Sequence, residues 1–246
     1  MKFVCGKDDK AGRNIAEFLE NNFGKKVIFV EKHPVFMDYL EKEIRAEKGE
    51  TIIVLSKHQS EKKIRSLTVH PAGNFDTNDL GGLKFKMSPY DARLSRSILS
   101  NIKNYAINLD YEVTYEATHH GPISENPLIF VEIGSTDIEY EDKDAGLVIA
   151  RALSEASPEA DDVKCGIGGP HYSRRFTSLA TNDGIAIGHI ASKYRFASIN
   201  EGLLREMYVK SIGCSGFIVE AGSFNSLQKK ALTDKLDLTG YSYNFI

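Results

Sequence analysis

Glu116-Ala-Thr-His-His-Gly-Pro122, with Val131-Glu-Ile-Gly-Ser-Thr136 shortly after it, is the stretch on which the reading of this chain turns. Residues 112–116 alternate polar and apolar side chains, the pattern of a half-buried strand. Two adjacent histidines, His119 and His120, then meet Gly121-Pro122, which ends regular structure. A second apolar run, Leu128 to Ile133, carries Glu132 and stops at Gly134. Two imidazoles and a carboxylate thus arrive on strand ends close in sequence. Histidine binds metals and moves protons near neutral pH. A carboxylate orients a histidine, binds a metal or acts as a base. A plainer role exists for each: a buried hydrogen-bonded histidine pair, and an ion pair from Glu132 to a lysine or arginine. In a strand, His119 and His120 would point to opposite faces. They can share one ion only if the chain leaves strand geometry at Gly121.

Outward from this stretch, strands and helices alternate, which argues for an α/β layered fold. Phe3-Val-Cys5 is a first strand, and Asp8 or Asp9 caps a helix with Ala11, Ile15, Phe18, Leu19 and Phe23 on one face. Gly24 closes that helix before the strand Val27–Val30. His33-Pro34 is expected to open a second helix with Phe36, Leu40 and Ile44 inward. Residues 51–55 form a continuous apolar run, as in a strand buried on both faces. Lys57 and His58 follow where ligands gather in open α/β sheets, beyond the carboxyl ends of the strands. His70 lies at another strand-to-turn junction, ahead of a long Gly-, Asn- and Asp-rich loop over 72–87. A helix from Ser88-Pro89 carries Leu94, Ile98, Leu99 and Ile102 inward. Arg93, Arg96 and Lys103 form a basic stripe on it, read as solvated surface or as a phosphate contact. A helix is expected over 144–156, and an acidic connection over 155–162. The strand from Val163 ends in Gly-Ile-Gly-Gly-Pro-His, which delivers His171. Gly168 and Gly169 there let backbone amides approach a ligand. Arg174 and Arg175 follow, and His189 ends the strand 185–190. A helix over 203–212, a strand over 216–219 and a helix over 226–235 complete the chain. One domain over 1–246 is expected, with room for a small subdomain over 56–110.

The 246 residues suffice for a sizeable core. Hydrophobic content of 41% and charged content of 26% are ordinary for a soluble globular chain. A net charge of −3 excludes a global pull toward nucleic acid, so a polyanion would need local basic patches. Three distant cysteines without CxxC spacing argue for free thiols and a cytoplasmic location. No apolar run approaches the roughly 20 residues needed to cross a bilayer, and no signal peptide is visible. GxSxG, HExxH and phosphate-loop motifs are absent. Cys5 and Cys165 lack a nucleophile context, which leaves histidine and carboxylate chemistry. Six of the seven histidines (His58, His70, His119, His120, His171, His189) fall at expected strand ends and fit one imidazole-lined rim.

In their order, Ser56-Lys-His58, residues 68–74, Ala117-Thr-His-His-Gly-Pro122, residues 131–136, Gly168-Gly-Pro-His-Tyr172 and Gly188-His189 resemble the archaeal and plant type of D-aminoacyl-tRNA deacylase. The motifs are specific together and weak singly. One departure is visible: the family's pattern has Trp after the 131–136 run, whereas this chain has Tyr140 and no Trp. The resemblance implies hydrolysis of D-aminoacyl-tRNA, with tRNA as partner; a monomer without membrane attachment is expected. It implies a three-layer mixed sheet with helices on both faces, similar to phosphorylase and peptidyl-tRNA hydrolase. It also implies zinc, for which His119, His120, His171 and His189 are candidate ligands. His119, His120, Glu132 and His171 are candidate catalytic groups. Lys57, His58, His70, Gly168, Gly169, Arg174 and Arg175 are candidate substrate contacts, the two glycine amides as oxyanion donors. Two other readings are a metal-independent enzyme resembling phosphorylase or peptidyl-tRNA hydrolase, and a non-catalytic tRNA-binding protein. Tyr172 and Tyr194 near basic residues are too few to favour the last.

Overall fold

The structure, a computed structural model, describes residues 1–60, 62–159 and 162–246. The parts of the two polar connections at Glu61 and at 160–161 lie outside the described residues. The chain is mixed α/β, as its alternating pattern requires, with the strands divided between two sheets.

The first half supplies β1 (Lys2–Gly6), α1 (Lys10–Phe23), β2 (Val27–Val30), β3 (Ile52–Gln59), β4 (Ser66–Pro71), α2 (Ala92–Tyr105) and β5 (Glu112–Tyr115). After it come β6 (Leu128–Ser135), the short α3 (Asp137–Tyr140) and α4 (Lys143–Ser154). These strands form a six-stranded sheet in the order β2-β1-β3-β6-β4-β5. Neighbours are parallel except β4 and β6, which run antiparallel. The remaining elements are β7 (Val163–Ile167), α5 (Arg174–Asn182), β8 (Ala186–Ala191), α6 (Glu201–Lys210), β9 (Cys214–Val219), α7 (Ser226–Thr239) and β10 (Tyr243–Phe245). Their strands form a parallel four-stranded sheet, β10-β9-β7-β8. Residues 56–110 include the end of β3, β4 and α2, with both strands in the six-stranded sheet.

The main sheet has two unlike faces, set by the alternation of side chains along its strands. Phe3, Ile53, Leu55, Leu67, Val69, Val131 and Ile133 share a core with α1, α2 and α4. On the opposite face Val4, Ile52, Val54, Leu128 and Phe130 pack under Met37, Leu40 and Ile44. The helix expected there does not form: only Pro34–Phe36 makes a helical turn, and Phe36 is exposed. Leu40 and Ile44 are buried as expected, but the backbone of 37–40 bonds elsewhere. Leu40 N–H donates to Ile123, Ile123 N–H to Asp38, and Gly82 N–H to Met37. Tertiary partners outweigh a local helical preference of tenths of a kcal/mol per residue. This irregular cover leaves a cavity over the C-terminal ends of β3 and β6 on that face.

Asp9 joins several of these parts. It caps α1 through Gly12 N–H at 2.8 Å, and its other oxygen accepts from Lys57 N–H at 3.0 Å and from His33 at 2.7 Å. Tyr140 is buried, with its hydroxyl 2.9 Å from the His58 carbonyl and 3.0 Å from that of Ser135. The aromatic at this departure from the family pattern thus holds the end of β3 to the end of β6.

Candidate active site

Sheet register assembles the first part of the site. Glu132 on β6 lies opposite Ser56 on β3 and Thr68 on β4. Two residues further along each neighbour, on the same face, come His58 and His70. Apolar positions 52, 54, 128 and 130 therefore give way to 132 and 58 toward the C-terminal ends of β6 and β3, while His70 on antiparallel β4 stands level with Phe130. Glu132 Oε2 lies 3.5 Å from His58 Nδ1 and 3.6 Å from His70 Nε2. Its ion-pair partners among the described residues are imidazoles, not a lysine or arginine. Gly134 is needed beside His58, since a Cβ there would meet Ser66 Oγ at 2.6 Å and the His58 ring at 3.0 Å.

The second part comes from the strap after β5. Glu116 N–H donates to Val69 in one sheet's body, while Ala117 and Thr118 donate to His171 and Ile190 beside the other. The site therefore sits where the two sheets meet. Regular geometry ends at His120, whose φ of 43° is left-handed. A ring at His120 can then join that of His119, and their centroids are 4.3 Å apart. Gly121 has no room for a side chain, because a Cβ would lie 2.2 Å from Gly82 N. That close approach seats the His119-His120 turn against the 81–82 loop.

Five expected histidines converge. His70 and His119 ring centroids are 4.2 Å apart, His119 and His171 4.6 Å, and His58 and His171 6.1 Å. Glu116 is fully buried and was not foreseen as a functional residue. Its carboxylate lies 2.7 Å from His171 Nε2, 3.1 Å from His58 Nδ1 and 3.6 Å from His119 Nε2. The available signal was its place at the end of a strand, three residues before His119. His58, His119, His120, His171 and Glu132, with His33, Phe36, Lys57 and Leu80, line a cavity of about 330 Å³.

Burial disfavours charge on His58, yet Glu116 and Glu132 outweigh it and push the His58 pKa up to about 10. His70 is raised likewise, chiefly by Glu132 acting against burial. Burial would raise Glu132, but His58 and His70 bring it down to about 2. Glu116 is held well below the usual carboxylate range by His58 and His171 in spite of burial. Burial and the neighbouring rings push His119 well down and His120 to about 4. The site is thus zoned, with neutral rings at 119–120 and an imidazolium between two carboxylates at 58.

The donor chemistry fits a metal ion. Nδ1 of His70, His119 and His120 faces the carbonyls of Pro71, Ala117 and Gly121 at 3.2, 2.8 and 2.6 Å. A carbonyl only accepts, so each Nδ1 carries a proton; neutral His119 and His120 then hold their lone pairs on Nε2, while His70 Nε2 faces Glu132 Oε2 at 3.6 Å. This is the backbone contact that commonly orients metal-binding imidazoles. One ligand atom from each of these three lies within 4.8 Å of the others, and His58-Glu116-His171 and His70-Glu116-Glu132 form two further groups.

Other expected residues are placed differently. His189 stands apart: Nε2 lies 3.0 Å from the Ser88 carbonyl and Nδ1 3.1 Å from the Thr118 hydroxyl, which occupies both nitrogens. The Gly168 and Gly169 amides donate to Ala191 O and Ser223 Oγ at 2.8 and 2.7 Å, so neither is left as an oxyanion donor. Arg174 makes a two-point pair with Glu112 at 2.6 and 2.7 Å, and Arg175 is exposed. In the basic stripe, Arg96 Nε donates to Ala180 O at 2.8 Å and Lys103 Nζ to Thr181 at 2.9 Å, so these two serve α5 packing. The thiols of Cys5 and Cys165 are buried and pushed up by burial, outside the histidine cluster.

Comparison with known proteins gives the family. Residues 45–244 match the model of the D-aminoacyl-tRNA deacylase family. This chain belongs to that family. A D-aminoacyl-tRNA deacylase of Ignicoccus hospitalis is 35% identical over 232 residues, covering 94% of this chain and 89% of the relative. One of Methanosarcina mazei is 36% identical over 268 residues, covering 98% and 90%. The crystal structure of a conserved protein of unknown function, AF0625, superposes with a TM-score of 0.88 at 27% identity, covering all of this chain and 95% of that one. Among the described residues no helix is long and apolar enough to cross a membrane.

Proposed function

We propose that the protein hydrolyses the ester joining a D-amino acid to the terminal ribose of tRNA, releasing free amino acid and tRNA. The observation that supports this most is the pairing of His171 with buried Glu116 at the mouth of a histidine-lined cavity, in a chain of the deacylase family. With Nε2–H donated to Glu116, Nδ1 is the ring nitrogen of His171 left to accept a proton. It takes the proton from the attacking water, and Glu116 stabilises the imidazolium that results. Proton return from His171 to the ribose oxygen completes the step. His58 supplies the positive charge, and its buried Nε2 has no hydrogen-bond partner within the protein. That donor replaces the glycine amides as the group for the developing oxyanion. Glu132 keeps His58 charged. Val35, Phe36 and Leu80 offer an apolar wall to the amino-acid side chain.

His70, His119 and His120 would hold the metal, which we take to be zinc from the three-imidazole donor set. When bound, zinc supplies Lewis-acid polarisation of the ester carbonyl and eases deprotonation of water. Turnover of D-tyrosyl-tRNA against L-tyrosyl-tRNA by purified protein tests the reaction. Metal analysis of the same preparation tests the cofactor. We expect D-selective hydrolysis and bound zinc that is lost from His120→Ala. Equal release of both amino acids, or none, rejects the reaction; full activity of metal-free protein rejects the zinc.

Substrate tRNA must be held by local cations, since the net charge is −3. Each single-strand phosphate neutralised adds about −0.7 to the slope of log affinity against log salt. Arg174→Ala with Arg175→Ala is expected to flatten that slope by about 0.7, the share of exposed Arg175, because Glu112 already holds Arg174. Arg96→Ala with Lys103→Ala should leave it unchanged, because α5 already engages both side chains. An unchanged slope in the first variant removes those arginines from the tRNA path.

A further inference from the structure

The cavity mouth opens on two flanks of opposite character, with His171 lining both. One flank is a groove of about 500 Å³ bordered by Ser60, Lys62, Pro170, Tyr172, Arg174 and Tyr194. Among the described residues lining it there is no carboxylate; Arg174 is held at two points by Glu112 outside the lining, which leaves the groove's positive charge to Lys62. The other flank carries Asp76 and Asp79, and its cation, Arg195, is bound at two points by Asp76 at 2.8 Å.

Tyr194 is 70% exposed, although its backbone is anchored. Lys193 N–H donates to Gly169 O at 2.9 Å, and Arg195 N–H to Ser192 O. The glycine turn that delivers His171 therefore also fixes this tyrosine beside the groove. Lys193 Nζ lies 5.4 Å from its ring centroid. An exposed ring on a fixed turn, with ammonium groups nearby, has the attributes of a stacking platform for an unpaired base. With Asp76 neutralised by Arg195, Asp79 is the carboxylate on that flank that repels a phosphodiester chain and attracts an α-ammonium group.

We propose that the groove from Lys62 to Tyr194 receives the terminal unpaired nucleotides of the acceptor strand, with one base stacked on Tyr194. The aminoacyl group then lies toward Asp79, and the ester spans His171. This orientation rests on the deacylase reading and adds to it the side from which the RNA enters.

The test is the binding of an uncharged acceptor-stem minihelix ending in CCA, compared with the same minihelix lacking those three nucleotides. The wild-type protein should prefer the CCA form. Tyr194→Ala should weaken that form about tenfold or more, as expected for loss of one stacked base, and leave the truncated form unchanged. Tyr194→Phe should restore binding. In turnover, Tyr194→Ala should raise KM with kcat little changed, while Asp79→Asn should raise KM without affecting binding of the uncharged minihelix. Melting temperatures check that the exposed substitutions leave the fold intact. Wild-type affinity for the CCA form in Tyr194→Ala, or no preference for CCA in the wild-type protein, overturns the proposal. Binding is read without hydrolysis, so failure of the deacylase reading shows separately, as absent turnover by the wild-type protein.

Discussion

Glu116→Gln is expected to lower turnover of D-tyrosyl-tRNA by about two to four orders of magnitude, the range for losing a positioned acid–base partner. The carboxylate serves His171 and His58 from a fully buried position, with His119 Nε2 3.6 Å away. A glutamine fills the same space but offers one acceptor and one donor. If its oxygen keeps His171, its NH2 group faces protonated His58, and two donors confront each other. If it turns over, His171 loses the group that stabilises its charged form. His58 also loses the larger of its two carboxylate partners, and a buried cation left short of a counter-charge is costly, about 3–5 kcal/mol in comparable pairs. The melting temperature should therefore fall as well. Turnover and thermal melting on one preparation decide the matter. Near-normal turnover at an unchanged melting temperature would show that Glu116 is neither catalytic support nor a structural counter-ion.

His119→Ala and His120→Ala are each expected to abolish measurable deacylation and to lower zinc content, with the protein still folded. Each removes one of three imidazoles whose Nδ1 is tied to a backbone carbonyl. Neither ring carries the charge pairing of His58, so its removal leaves no carboxylate newly unpaired. The stability cost should be the smaller one of vacated packing. His120 is also held in a left-handed conformation, and alanine there keeps the strain without the ring's contacts. Metal content, melting temperature and single-turnover rate separate the roles. A folded variant with full metal content and normal rate would remove the 119–120 turn from the active site.

The sequence by itself determined the strand and helix alternation, the apolar faces of α1, α2 and α4, and the place of His58, His70, His119, His120, His171 and Glu132 at strand ends. Those features are local: a two-residue period, a Gly-Pro stop and a capping aspartate are written in neighbouring residues. The family was legible on the same basis, because its motifs are short and ordered along the chain. Only the tertiary structure decided the rest. It placed Glu116 among three imidazoles, because that contact needs the strap after β5 to run between two sheets joined through residues 171 and 190. His189 looked like its fellows in sequence, but Ser88, 101 positions away, occupies its ring. Gly168 and Gly169 offered free amides on paper, until Ala191 and Ser223 folded onto them. The helix expected after Pro34 yielded to backbone bonds with residues 82 and 123. In each case the deciding partner is distant along the chain, and local pattern carries no information about it.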